Sequence, residues 1–373
     1  MVRPSLVVIL AVCACTGPAV DEDCDESEGL APWFAELAFF QAVEVPVYLD
    51  GAAVPAQSRT APLVAGRQAV VRAYVNLAGD LTGGDVDLVV DITTAAGTES
   101  FRTSRPLDAA SNVDDPSTGF VVSIPAEALA SEGAYSVSLM DGDRMLQRFP
   151  ETGEAPLDLL VTGPLKVHFV PFQVNGITPD TSPKVIEGMR DALMAVYPVT
   201  GVEVSVGDPV VWNREFDIGD MNYELGVQQE TLVFSGQLPR DVYYYGMVSG
   251  YESRDDFQGS TGTSEGGAGE PRAFFAMGAA FGDQKSEDTL IHEMGHMHQL
   301  EHVECNNEPN TDPRYPYADG EIGVEGYDFR TGTFVPADQK DMMSYCYPRW
   351  ISDYHYAIMA DHVVWSQTFK DAG

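Results

Sequence analysis

The chain has 373 residues, with 57 Asp and Glu against 21 Lys and Arg, a formal net charge of −36. So acidic a surface repels phosphate backbones, which excludes nucleic acid as a partner class, and a hydrophobic fraction of 44% excludes a wholly disordered chain. The length suits about two domains, and both halves are acidic: residues 21–165 carry 24 acids and 7 bases, residues 166–373 carry 33 and 13.

Arg3 precedes an apolar run, Leu6 to Val12, that is too short to span a bilayer. A basic start with a short apolar core reads as an export signal. The run ends Val12-Cys13-Ala14-Cys15, which resembles a bacterial lipobox. That resemblance implies that residues 1–15 are a lipoprotein signal and that Cys15 carries the lipid. The expected location is a bacterial cell surface or outer membrane, with plain secretion as the alternative. The lipid is the one expected membrane contact. Residues 16–37 hold six acids between Asp21 and Glu28 and read as a self-repelling, extended tether. Cys24 lies within it without an evident partner.

Residues 38–165 read as a β-sandwich. Short β-rich runs recur at Ala42–Leu49, Gln68–Val75, Val86–Thr93, Gly119–Ile124, Tyr135–Met140 and Leu157–Val161. Asp50-Gly51, Gly83-Gly84, Ala96-Gly97 and Asp141-Gly142 supply turns between them. No catalytic constellation falls here, so a support or binding module is expected.

Residues 166–373 interleave strands with helices, so the fold class is α+β multidomain, a β-sandwich followed by an α/β domain with a mixed sheet. Lys166–Phe172, Val202–Val206, Val210–Trp212 and Asp241–Val248 read as strands. Ser182–Tyr197 reads as a helix with Ser182 as N-cap. Residues 249–271 read as a Gly/Ser-rich surface loop, Arg272–Phe281 as an edge strand, and Ser286 as the cap of a helix from Glu287. A last helix is expected over 352–369.

His292-Glu293-Met294-Gly295-His296 carries the chemistry. Histidines at i and i+4 share one helical face, about 6 Å apart, and can ligate one ion. Glu293 is placed to take a proton from a metal-activated water. His302 completes three ligands only if the helix stops after His296, because on a continuous helix it would lie about 280° around from His292. Glu321 and Glu325 are alternative third ligands.

This spacing resembles the metzincin clan of zinc metallopeptidases, whose pattern is HExxHxxGxxH. Gln299 stands where that pattern has Gly, a turn position that favours φ > 0, at a cost of about 1 kcal/mol for another residue. A second resemblance is Asp341-Met342-Met343-Ser344-Tyr345-Cys346. It implies that Met343 floors the metal site and that Tyr345 serves as a fifth ligand or an oxyanion donor. Residues 286–355 are similar to secreted bacterial metzincins of the mucin-cleaving type, which carry a β-sandwich before the catalytic domain. The resemblance implies one catalytic Zn2+ on His292, His296 and His302, a metzincin-like catalytic domain over 166–373, and a protein or glycoprotein substrate. It brings Cys305 and Cys346 together as a disulfide, which export permits. It also implies that a substrate strand pairs with the edge near Ala273–Phe281. The alternative function is a non-catalytic surface-binding lipoprotein on a metalloprotease scaffold altered at Gln299.

Among the other histidines, His298 is expected at the surface, His168 in a strand, and His355 and His362 on one face of the last helix, where they are candidates for a second metal site. Asp141, Asp143 and the stretch Asn306–Asp312 are candidate Ca2+ ligands. Residues 287–325 hold ten acids and one base, Arg314. This density predicts an acidic cleft that prefers neutral or cationic peptide segments.

Overall fold

The computed structural model describes residues 32–77, 84–257, 260–264 and 274–368. The export signal, Cys13, Cys15, Cys24 and the acidic run lie outside the described residues. Among the described residues no helix is long and apolar enough to cross a membrane.

The first eight main strands are β1 (Trp33–Phe40), β2 (Glu44–Leu49), β3 (Ala69–Asn76), β4 (Asp85–Thr94), β5 (Gly97–Pro106), β6 (Phe120–Ile124), β7 (Gly133–Asp141) and β8 (Arg144–Phe149). They form two antiparallel sheets. One runs Ala52–Ala53, β2, β1, β3, β6; the other runs β8, β7, β4, β5. Leu37, Phe39, Val71 and Val75 of the first sheet share one core with Leu88, Val90, Ile92, Val137 and Leu139 of the second. Alternation in β4 builds this face, as the sequence pattern requires.

Two strands differ from expectation. β1 begins at Trp33, so residues 33–37, read as tether, belong to the sheet. Apart from Glu36, which lies beside Arg72, β1 is apolar because both its faces are covered. Leu37 and Phe39 face the sandwich core, while Ala38 and Phe40 pack on Tyr327, Phe329 and Phe334 of a later hairpin. β5 has no apolar alternation because it is a polar edge strand, exposed along most of its length.

The second half holds β9 (Leu165–Val174), α1 (Pro183–Val196), β10 (Val202–Val206), β11 (Val210–Trp212), α2 (Ile218–Phe234), β12 (Val242–Val248), β13 (Gly262–Ser264), β14 (Phe275–Ala279), α3 (Gln284–Met297) and α4 (Asp353–Gln367). The sheet order is β10, β9, β12, β14, β13. The first four strands are parallel and β13 is antiparallel to β14. Successive residues feed opposite cores. Val167, Phe169, Tyr243, Tyr245 and Met247 pack with α1, α3 and α4, whereas Phe172, Val174, Tyr244, Val248 and Met277 pack with Met221 and Leu225 of α2. Helices on both faces explain why these strands read as continuous apolar runs.

The expected edge strand is corrected here. β14 is interior, paired with β12 and β13, and among the described residues the edge is β13, drawn from the stretch read as a surface loop. Helix α2 was not expected. Its buried stripe is broken by Asn222, Gly226 and Gln229. Gln229 donates to the carbonyls of Val242 and Phe274, and Gly226 lets the Phe275 ring approach to where a Cβ would stand 2.4 Å away.

Buried Arg67 joins the halves. Its guanidinium donates to the carbonyls of Gln41, Met194, Ala195 and Tyr197, so it satisfies the C-terminal carbonyls of α1. Trp350 Nε1 donates to the Ala42 carbonyl at 2.8 Å.

Candidate metal centre

Helix α3 presents the first two histidines. Its N-cap is Asp283, whose carboxylate accepts the Ser286 N–H at 3.0 Å. Ser286, expected as the cap, instead donates its hydroxyl to Asp283. Arg254 grips the same carboxylate through two nitrogens, so the helix start is fixed.

The helix ends at Met297, and its last turn closes by two bonds. Gln299 N–H reaches the His296 carbonyl at 2.9 Å, and Leu300 N–H reaches the Gly295 carbonyl at 3.1 Å. This is a Schellman ending, with Gln299 in the left-handed position at φ 65°. The chain reversal returns His302 to the helix face. It also aims the Leu300 carbonyl at His296 Nδ1, 2.8 Å away.

Each candidate ligand is oriented in the same way. His292 Nδ1 lies 2.9 Å from the Met342 carbonyl, and His302 Nδ1 lies 2.6 Å from the Pro309 carbonyl. A carbonyl only accepts, so each Nδ1 carries the proton and each Nε2 carries a lone pair. These nitrogens all lie within 4.8 Å of one another, and those of His296 and His302 are 3.1 Å apart. Two lone pairs at that separation repel unless they share a cation. Nitrogens bound tetrahedrally to zinc stand roughly 3.3 Å apart, so the donor set fits one ion. Burial pushes the His292 imidazole well below its usual range and His296 down to about 4, which keeps both neutral and available.

Met343 is fully buried beneath α3. A Cβ at Gly295 would stand 2.5 Å from its sulfur, so glycine permits the close approach. The turn is held by Asp341, which accepts the Met343 N–H at 2.8 Å, the Ser352 N–H at 3.0 Å and His355 Nδ1 at 2.8 Å. Val303 N–H bonds to the Met343 carbonyl, which ties the His302 loop to this turn. Cys305 and Cys346 are joined as a disulfide across the same junction.

Tyr345 is 48% exposed, and its hydroxyl lies 3.3 Å from His302 Nε2. Its backbone N–H donates to Glu308, which also accepts from the N–H groups of Cys305 and Asn306. Burial raises the Glu308 carboxyl, but these backbone bonds outweigh it and hold the group below its usual range. Glu308 therefore fastens both sides of the bridge, a role that no spacing signal in the sequence marks.

Glu293 is buried beside β13 with Ser264 as its hydrogen-bond partner. A Cβ at Gly262 would lie 2.3 Å from its Oε1, so only glycine fits there. Burial pushes the Glu293 carboxyl up to about 8, against the lowering effect of Ser264. A cation on the histidines would bring it down again. Residues 260–264, the three histidines, Glu293, Tyr345, Tyr347 and Arg349 line one open cleft of about 610 Å³.

Several expectations are corrected. His298 is fully buried, stacked on Tyr243 with ring centroids 4.9 Å apart. His355 pairs with Asp341 while His362 packs on His298, so the two are not brought together. Glu321 pairs with Lys340 and Glu325 with Arg72, away from the histidines. Of the candidate calcium residues, Glu308 falls at metal-ligand spacing, but with Cys305 and Cys346, whose sulfurs are joined to each other, and its carboxylate accepts three backbone N–H groups. Asp312 instead binds Arg314 and Tyr354. Nor do the described residues make the cleft densely acidic: of the ten acids in 287–325, Glu293 is the one that lines it.

No curated protein matches the chain. One similar solved structure is titled "Structure of a chaperone-substrate complex"; it shares 14% identity over 62% of this chain and 39% of that one, with a TM-score of 0.31. The chain thus spans about two fifths of that protein's length, and so distant a likeness carries no argument. Residues 243–351, which hold the three histidines, Glu293 and Tyr345, match the model of the Peptidase M66 family, and the chain is therefore similar there to a family of metallopeptidases.

Proposed function

We propose that the chain is a zinc endopeptidase of the metzincin kind, exported and either lipid-anchored through Cys15 or secreted, acting on proteins or glycoproteins. The observation that carries this reading is the convergence of three Nε2 lone pairs beside Glu293 in an open cleft at a sheet edge. His292, His296 and His302 would hold the metal. Bound Zn2+ would supply Lewis acidity to a water and to the scissile carbonyl.

The side chains do the rest. Glu293 takes the proton of the attacking water and delivers it to the leaving amine. Its buried carboxylate is held in place by Ser264 and by contact with Gly262. Tyr345, half exposed at the cleft, donates its hydroxyl to the oxygen that gains charge. The outer edge of β13, the last strand of the sheet among the described residues, offers backbone groups to an extended peptide, a strand-addition mode in which main-chain hydrogen bonds give affinity and side-chain pockets give specificity. The sandwich braces the catalytic half through Arg67 and Trp350.

The alternative of a damaged scaffold loses its motive, because the turn at Gln299 closes with both hydrogen bonds. The test is a cleavage profile on a panel of proteins and glycoproteins for zinc-loaded wild type and Glu293→Gln. Cleavage by wild type that falls at least 10³-fold in the variant, roughly the loss when a catalytic acid–base is removed, supports the reading. Equal inactivity of both at full zinc occupancy sinks it.

A further inference from the structure

Arg349 lines the cleft together with His292, Glu293 and His302. It lies in the stretch similar to the bacterial metzincins, but that resemblance assigns it no role. Its Nε donates to the Cys346 carbonyl at 3.2 Å, and its guanidinium lies over the Tyr347 ring, 4.0 Å from the centroid. Among the described residues, neither terminal amino group has a protein hydrogen-bond partner and no carboxylate lies within ion-pair distance. Its basic neighbours differ. Arg254 is neutralised by Asp283, and Arg330 by Asp328. In a chain with 57 acids, this residue lines the cleft, and also a smaller pocket with Asp288 and Arg330, without an ion-pair partner among the described residues.

We infer that Arg349 is a specificity-determining residue that receives a carboxylate of the substrate beside the scissile bond. This rests on the endopeptidase reading. A guanidinium held at Nε by a carbonyl keeps both Nη groups for end-on, two-point pairing with a carboxylate. The stacked Tyr347 ring holds its plane, so little side-chain freedom is lost when the anion arrives. The cleft charge agrees. Among the described residues, Glu293 and Arg349 are its formally charged side chains and cancel, and a divalent ion on the histidines adds positive charge to that set. The acidic exterior therefore does not dictate the taste of the site. The carboxylate could belong to an Asp or Glu side chain or to an acidic sugar on a glycoprotein.

The experiment uses zinc-loaded protein and matched substrates. One arm compares peptides that differ by Glu against Gln at each position around the cleaved bond. The other compares a sialylated glycopeptide with its desialylated form. The expected result is a kcat/KM ratio of about ten or more for the acidic member in one arm, the size of a charge-assisted hydrogen-bonded pair. In R349Q the ratio falls to within two-fold of unity, and the equally neutral R349M serves if R349Q does not fold. The arm that shows the ratio identifies the source of the carboxylate. A wild-type ratio near one in both arms, or a ratio that survives in the variants, overturns the inference while leaving the peptidase reading intact. Fluorescence anisotropy with E293Q and E293Q/R349Q covers the case in which wild type cleaves nothing. Acid-selective binding that is lost with Arg349 then upholds the subsite although the peptidase reading has failed, and unselective binding overturns both.

Discussion

Replacing Gln299 with Gly tests the local argument most sharply. Gln299 sits at φ 65°, in the left-handed region, at the position after the end of α3. An L-residue there costs about 1–2 kcal/mol relative to its relaxed backbone. Glycine removes that cost but enlarges the freedom of the unfolded chain, which returns about 0.4–1 kcal/mol. The carboxamide forms no hydrogen bond with a described residue, so little else is lost. The net expectation is a gain of about 0.5–1 kcal/mol. The assay is urea unfolding of the metal-free protein, read at constant m-value so that the shift reports stability alone. Zinc affinity should hold or rise slightly, because the same turn aims the Leu300 carbonyl at His296. A variant equal to or less stable than wild type would refute the reasoning, since it would mean that the backbone at 299 is unstrained.

Three further outcomes follow from contacts. Gly262→Ala places a methyl 2.3 Å from Glu293 Oε1; displacing the base by an ångström should reduce kcat/KM about 10²-fold while zinc content stays at wild-type level, and equal loss of both would contradict the assignment of Glu293 as base. Reducing Cys305–Cys346, or replacing both with Ser, opens a loop of 41 residues and should cost about 4 kcal/mol by chain entropy, measured by denaturant midpoint; a change below about 1 kcal/mol would show the bridge to be dispensable. Asp341 is buried; burial raises its carboxyl, but His355 and the hydrogen bonds from Ser352 and Met343 outweigh it and hold it low. Its folded value lies below its unfolded one, so its contribution is present above roughly pH 3.9 and is lost as pH falls through the lower folded value. Asp341→Asn should therefore be less stable at neutral pH and show a shallower acid limb, and unchanged acid unfolding would contradict this.

Much of the site was legible because its chemistry demands particular residue types at fixed spacing. Two histidines and a glutamate on one helical turn can be found without coordinates, and so can the need for a turn before His302. What escaped has a physical pattern. Glu308 works by accepting three backbone N–H groups, and no periodicity marks such a role. Arg349 is defined by what does not neutralise it, which only packing reveals. β13 is three residues long and Gly/Ser-rich, the composition of a loop, because Gly262 must make room for Glu293. β5 hid behind a polar edge, and α2 behind Asn and Gln at buried positions. His298 was expected outside because its place on the helix lies away from the metal face, yet α4 covers that side with His362. The acid count of 287–325 misled for a related reason: Asp312, Glu321 and Glu325 are each taken up by a cation outside the cleft.

The central claim is that His292, His296 and His302 hold one zinc ion. X-ray absorption on the protein loaded with one equivalent of zinc, with His302→Ala alongside, tests it most directly. Three imidazole nitrogens at about 2.0–2.1 Å are expected in wild type and two in the variant, with weaker affinity. A wild type that binds no stoichiometric zinc, or a His302→Ala variant with an unchanged shell and affinity, would contradict it.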